Sequence, residues 1–393
     1  MRSRRSWFGV RRRLPFAWLL LKRQPVRLIT AVLGVAFAGI LILMQLGFQA
    51  ALFNSSVSIV ERFDTDLILL GRQSVSLTSL TSFPEARLAQ LAGHPAVETA
   101  DPMRWRYVRW RLQGSPEARL AIAIGIYPFQ TPFADREIQA QQHLLDQPGR
   151  ILYDRLSRPE FGPVQNNFQA GRDVIAFVGD ERLRVAGLVN LGPSFGYDAS
   201  FITSTTTFED IFADDSRSIE LGLIKLKRGS SLQQALKEMR PLLPADTSLI
   251  SKKQLIDNEK SYWNTSKPIG FAFAFCALMS LAVGGMMVYQ LLYTDVGHHL
   301  PSYAILLSIG YRRSSLERII FEQGLILCLL GFPIALLSSH FLHIFVRNYT
   351  SLPMRMSTDV TLTTLLLIVA MCSTSALLAM NKLKDADPSE LFN

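Results

Sequence analysis

Four apolar runs, each long enough to cross a bilayer, divide this chain, and one long polar segment separates the first run from the other three. The first, Leu28 to Phe53, is interrupted only by Gln45 and Gln49. At 1.5 Å per residue a helix of that length reaches roughly 39 Å, enough to span with some tilt. It is too long for the apolar part of a signal peptide, so we read it as an uncleaved anchor. The second run, Ile269 to Leu292, has no charge. The third, Gly324 to Leu342, contains Pro333, which removes a helix hydrogen bond and predicts a kink. The fourth is Val360 to Met380. Overall composition agrees with a few spans plus an ordinary folded domain: 49% of the 393 residues are hydrophobic and the mean hydropathy is +0.20.

The net charge of +9 is concentrated at one end. Residues 1–27 carry Arg2, Arg4, Arg5, Arg11, Arg12, Arg13, Lys22, Arg23 and Arg27, and the first acidic residue is Glu61. The remainder is balanced, with 32 basic and 32 acidic residues. A basic stretch abutting an apolar run is a topology signal, which argues against a nucleic-acid partner. Segment 293–318 adds Arg312, Arg313 and Arg318, and the tail after the fourth run adds Lys382 and Lys384. The opposite short segment, 343–359, has only Arg347 and Arg355. Both termini are therefore expected in the cytoplasm of an inner-membrane protein, with residues 54–266 outside.

The expected fold is membrane α-helical, with four transmembrane helices and an α+β extracytoplasmic domain inserted between helices 1 and 2. The expected divisions are a basic tail with a first helix (1–27), helix 1 (28–53), the inserted domain (54–266), helix 2 (267–292), a cytoplasmic loop (293–318), helix 3 (319–342), a short outer loop (343–359), helix 4 (360–380) and a tail (381–393). Within the insert, Phe83–Leu91 reads as a short helix and Arg119–Tyr127 as a buried strand. Asp173–Val178 and Glu181–Val185 flank Gly179-Asp180 as a hairpin. Strand Ser218–Leu226, helix Ser231–Leu243 and strand Thr247–Ile250 make a ferredoxin-like half-unit. Arg104–Arg111 (RWRYVRWR) interleaves cations and aromatics, and we read it as an exposed strand with Arg stacked on Trp.

No nucleotide-binding, nucleophile-elbow, zincin or kinase signature occurs. The three cysteines, Cys276, Cys328 and Cys372, all lie in apolar runs, so the insert is expected to fold without disulfides or a zinc site. No catalytic residue, bound cofactor or metal is expected in this chain. The second span carries small residues at Ala277, Ser280, Gly284 and Gly285, a face on which helices approach closely and which we take as a dimer face. The most specific local feature lies between the second and third runs: Asp295, Val296, His299 and Pro301 precede a short apolar helix, Tyr303–Ile309, and a turn at Gly310. Such a helix at a cytoplasmic face either lies in the interface or docks in a groove of a partner.

That segment resembles the cytoplasmic loop of FtsX-like, MacB-type ABC transporter permeases, near D-V-x-x-R-x-x-E-I-A-I-L-R-A-L-G-A. Asp295, Val296, Ala304, Ile305, Leu306 and Gly310 match; His299, Ser302, Tyr303 and Leu307 stand in place of Arg, Glu, Ile and Arg. The tail Ala386–Phe392 (ADPSELF) is similar to that family's closing segment, and the one-plus-three layout of spans is shared. Ser74–Pro84 (SVSLTSLTSFP), Thr294-Asp295-Val296, His299-Leu300-Pro301 and Gly310-Tyr311 resemble the DevC branch, the permease of a cyanobacterial DevBCA-type glycolipid exporter.

The resemblance implies an ATPase-coupling element comprising Asp295, His299, Ser302, Tyr303, Ala304, Leu306, Gly310, Tyr311, Arg312 and Arg313. It implies a homodimer working with a separate DevA-like ATPase that binds ATP and Mg, a DevB-like periplasmic adaptor and, indirectly, a TolC-like outer-membrane channel, with membrane lipid around the spans. The cargo implied is lipid-like. A membrane sensor or scaffold with a ligand-binding outer domain is the alternative. A lipid-modifying enzyme is a third reading, for which no acid–base or metal constellation is present.

Overall fold

A computed structural model describes residues 16–213, 217–266, 269–310, 312–350, 354 and 356–382. In chain order the helices are α1 (Phe16–Arg23), α2 (Pro25–Glu61), α3 (Ala86–Ala92), α4 (Arg136–Gln141), α5 (Val164–Gln169), α6 (Thr205–Phe212), α7 (Leu232–Met239), α8 (Lys252–Ser261), α9 (Ile269–Ser308), α10 (Arg313–Thr350) and α11 (Thr358–Met380). The strands are β1 (Leu67–Gly71), β2 (Phe83–Pro84), β3 (Val97–Leu112), β4 (Arg119–Ile126), β5 (Arg150–Asp154), β6 (Ile175–Val178), β7 (Glu181–Val189), β8 (Ser200–Ser204), β9 (Ser218–Ile219), β10 (Leu221–Leu226) and β11 (Thr247–Ser251). The chain forms two compact units, a helix bundle and an inserted mixed α/β domain.

The bundle consists of α1, the first part of α2, and α9, α10 and α11. Four of these helices are long and apolar enough to cross a membrane. Its core includes Val35, Ile42, Val288, Leu292, Leu327 and Ile368. Apolar burial drives no association inside lipid, so close contact must supply the packing energy. Glycines provide it: a Cβ at Gly39 would lie 2.7 Å from the Ala335 Cβ, and one at Gly284 only 2.4 Å from the Ala38 Cβ. Pro333 lies inside α10 without ending it.

Three helices outrun their apolar runs. α2 continues to Glu61 because Ser55, Ser56 and Ser58 return their hydroxyls to the carbonyls of Leu52, Phe53 and Ser55 at 2.8–3.0 Å. α9 continues through Pro301 to Ser308, so the expected loop 293–318 is a helical hairpin rather than a loop. Proline there forfeits one hydrogen bond and Gly297 costs about 1 kcal/mol relative to Ala, neither of which ends the helix before Gly310. α10 likewise continues to Thr350, into the segment expected as a short loop.

The inserted domain is built on one nine-stranded sheet, β11-β1-β10-β3-β4-β8-β5-β7-β6. β10, α7 and β11 form the expected split unit, with β1 antiparallel to both strands and lying between them. α3 and α7 bury Leu88, Leu91, Leu236 and Met239 against one face of this part. On the other side, Ile68 and Leu70 join Ile59, Val60 and Phe63. The rest of the sheet closes on itself: β6 pairs with the end of β3 at Trp110↔Val178, making a six-stranded barrel of β3, β4, β8, β5, β7 and β6. Trp110, Tyr153 and Phe201 stack inside it. β6 and β7 form the expected hairpin, with Gly179 at φ +60°.

The RWRYVRWR strand differs from expectation. Trp105 and Trp110 are buried in the two cores, and the arginines stack on Phe, not Trp. Arg104 is buried and pairs with Glu209 at 2.6 Å, Arg106 reaches Glu220 and lies 5.1 Å from the Phe212 ring, and Arg111 lies 5.3 Å from the Phe177 ring. The cause is position: β3 pairs with β10 over Val97–Met103 and with β4 over Arg104–Trp110 and so passes through both parts of the sheet, and of the four arginines in this segment only Arg109 and Arg111 are exposed.

Two buried carboxylates fix loops in this domain. Asp154 accepts backbone N–H groups from Leu156, Leu191 and Gly192 at 2.8–3.1 Å. Burial pushes its pKa up to about 6 against those three bonds. Glu259, on α8, accepts the Leu77 N–H and the Trp263 indole N–H, both at 2.9 Å, and burial raises its pKa too. Leu77 lies in the Ser74–Pro84 segment, which is also closed on itself by Ser74–Thr81 and Ser76–Thr78 contacts.

Candidate coupling site

The hairpin joining α9 to α10 is built on a buried polar contact. Gln323 Nε2 donates to Asp295 Oδ2 at 2.9 Å, with both residues buried. A carboxylate is tolerated in such a place only with a donor facing it. His299, one turn on, holds Nε2 3.6 Å from Asp295 Oδ1, and its ring lies 6.3 Å from that of buried Tyr303. Val296 and Ala304 are also buried, and Leu306 packs against the same core. Lys382 places its ammonium 3.9 Å from the centre of the Tyr293 ring, tying the end of α11 to α9.

The turn follows from Gly310. Its φ of +99° is closed to residues bearing a side chain without strain. Its N–H donates to Leu307 O at 3.0 Å, and Ile309 N–H donates to Ile305 O, which satisfies the last turn of α9.

The expected coupling residues divide by face. Asp295, Tyr303 and Ala304 point inward, His299 and Leu306 are half-buried, and Ser302, Gly310, Arg312 and Arg313 are exposed. Tyr311 lies outside the described residues, as does the tail Ala386–Phe392. Ala304 is thus packed against its own chain. The outward face holds Ile305, 51% exposed, which matches the motif but was not among the expected coupling residues, and Ile309, 71% exposed. Helical spacing from Pro301 through Ile305 to Ser308 and Ile309 is the signal that finds them.

The small-residue face of α9 packs in part within one bundle. Ala277, Ser280 and Gly284 are buried, while Gly285 is half-buried. Gly284 faces Ala38 of α2 and Met371 of α11, and Ser375 of α11 donates its hydroxyl to Gly285 O at 2.8 Å. Small residues bring helices of the same chain together as readily as helices of two chains. Among the described residues, no cluster of His, Cys, Asp or Glu could hold a metal.

Residues 274–388 match the family described as FtsX-like permease C-terminal. That match takes in α9 from its second turn, the hairpin, α10 and α11. No curated protein matches the chain. Among solved structures, the chain is similar to the periplasmic region of MacB from Actinobacillus actinomycetemcomitans, with 12% identity over 50% of this chain and 94% of that one, at a TM-score of 0.34. It is also similar to the extracellular domain of the ABC-type transporter YknZ from Gram-positive bacteria, with 13% identity over 47% of this chain and 99% of that one, at a TM-score of 0.32.

Proposed function

We propose that the chain is the permease subunit of an ABC transporter, and that a separate ATPase docks on the outward face of the α9–α10 hairpin. The observation that carries this reading is the exposed pair Ile305 and Ile309 at the tip of a hairpin stiffened by Asp295 and Gln323, within the segment that matches the FtsX-like permease family. Two isoleucines one turn apart, next to Ser302 and Arg312, offer an apolar ridge with a polar rim, which suits a groove on a partner. ATP and Mg belong to that partner, and this chain passes on its motion without catalysis.

In this reading the basic N-terminal stretch and the hairpin are cytoplasmic, the inserted domain lies outside the inner membrane, and two copies work as a symmetric pair. The pair meets on the small-residue side of α9 that half-buried Gly285 leaves open, while Gly284 is occupied within the bundle. The DevC-like segments support a lipid-like cargo, such as a glycolipid, passed to a DevB-like adaptor and a TolC-like channel.

The test is recovery of the ATPase with Ile305→Asp and Ile309→Asp variants from intact membranes. Loss of recovery and of stimulated ATP hydrolysis, with the bundle still folded, is expected. Unchanged recovery with both variants sinks the reading. Cysteines at exposed Glu117 and Ser314 check the topology: a membrane-impermeant maleimide is expected to label the first in intact spheroplasts and the second only after lysis.

A further inference from the structure

We infer that Arg27, Gln24 and His298 form a binding site for the phosphodiester headgroup of an anionic phospholipid. The three residues line a pocket of about 410 Å³ between the start of α2 and residues 298–299 of α9, all within the helix bundle. Arg27 Nη1 donates to Gln24 Oε1 at 2.7 Å, and Arg27 Nη2 lies 3.1 Å from His298 Nε2.

The hydrogen-bond inventory of this pocket is one-sided. A guanidinium has donors only, so His298 Nε2 must be the acceptor of the Arg27 contact. The imidazole then carries its proton on Nδ1, a further donor. Gln24 has its carbonyl oxygen engaged by Arg27 and offers its amide N–H groups. Among the described residues no carboxylate is paired with Arg27 or His298, and the nearby Asp295 is turned to Gln323 and His299. The pocket therefore combines a fixed positive charge with several free donors, and no carboxylate lines it. A ligand with clustered acceptor oxygens and a negative charge completes it, and guanidinium groups bind phosphate in this way.

Depth selects the source of the phosphate. Arg27 immediately precedes the apolar run that starts at Leu28, and His298 lies beyond the one that ends at Leu292. Both sit at the level of lipid headgroups. The Arg27 charge has no paired carboxylate among the described residues, which disfavours headgroups bearing an amine and favours those with a net negative charge. This site is independent of the ATPase reading, since neither its residues nor its ligand involve the partner.

The test is native mass spectrometry of the full-length protein in detergent, titrated with phosphatidylglycerol or phosphatidylcholine. The wild type is expected to retain phosphatidylglycerol preferentially. Retention is expected to fall about tenfold in the Arg27→Gln/His298→Gln double variant, the equivalent of losing one charge-assisted contact. Lys22→Gln, outside the pocket, controls for general attraction and is expected to change little. Arg27→Lys, which keeps the charge but not the planar fork, is expected to be intermediate, and it serves if the double variant does not fold. Equal retention in wild type and Arg27 variants overturns the site. Equal loss with Lys22→Gln shows diffuse attraction and also overturns it. Displacement of lipid by equimolar inorganic phosphate would identify a free-phosphate site and overturn the lipid assignment.

Discussion

Glu259 accepts the indole N–H of Trp263 one turn further along the chain, and the same carboxylate accepts the backbone N–H of Leu77. Two donors from separate segments thus depend on one buried acceptor. Replacing Glu259 by Ala leaves both unsatisfied and is expected to cost about 2–4 kcal/mol, whereas Glu259→Gln keeps one acceptor and costs less. Thermal unfolding followed by tryptophan fluorescence measures the first effect. Proteolysis within residues 74–82 reports whether that segment has come loose. An Ala variant that melts with the wild type contradicts the assignment.

Asp154 makes stability depend on pH in a defined direction. Its pKa is about 6 in the folded domain against an ordinary value of 3.8, so in that window the folded state binds a proton that the unfolded chain does not. The contribution is complete below the lower value and is lost as pH rises through the upper one. Asp154→Asn cannot take up that proton. Its stability relative to wild type is therefore expected to worsen between about pH 7.5 and 4.5, by at most about 3 kcal/mol. Parallel stability profiles for the two proteins would refute this.

Adjacent glycines of α9 are expected to behave oppositely. A methyl at Gly284 meets Ala38 Cβ at 2.4 Å and Met371 Sδ at 2.8 Å, both on packed helices. Gly284→Ala is expected to destabilise the bundle by about 1–3 kcal/mol. At Gly285 the nearest atoms are 3.5 and 3.6 Å away, so Gly285→Ala is expected to be tolerated. Melting temperatures in detergent compare the two directly. Equal values would mean that α2 and α11 are not held as described.

Gln323→Leu would strand the Asp295 carboxylate, with only His299 nearby. A loss of about 2–3 kcal/mol is expected, while Asp295→Asn keeps an acceptor for Gln323 and is expected to be milder. Ala304→Asp, which places a charge among buried residues, is expected to unfold the hairpin rather than merely release a partner. Reactivity of a cysteine placed at buried Leu316 distinguishes unfolding from undocking.

The spans and the split β10–α7–β11 unit were legible in the sequence because apolar length and helical spacing are local properties. Their ends were less so. Ser55, Ser56 and Ser58 look like a break after Phe53, yet their hydroxyls bond back to the helix that contains them. The closed barrel was not legible, since it depends on β6 meeting the far end of β3, some 65 residues away in sequence. The coupling segment was found by its motif, but the motif does not report which side of the helix faces inward. Ala304 and Ile305 are neighbours in it, and only packing assigns one to the core and the other to the surface.

β3 has a mechanical consequence. Its 16 residues, roughly 50 Å when extended, run unbroken from the split unit, where β10 bonds Val97–Met103, into the barrel, where β4 bonds Arg104–Trp110. The two ladders change over between Met103 and Arg104, and one core packs across that point, joining Ile68, Leu221 and Leu223 of the split unit to Ile122, Ile124 and Ile202 of the barrel. Bending the domain at its middle would open that shared core to water, so the changeover is held by packing and not by hydrogen bonds across it.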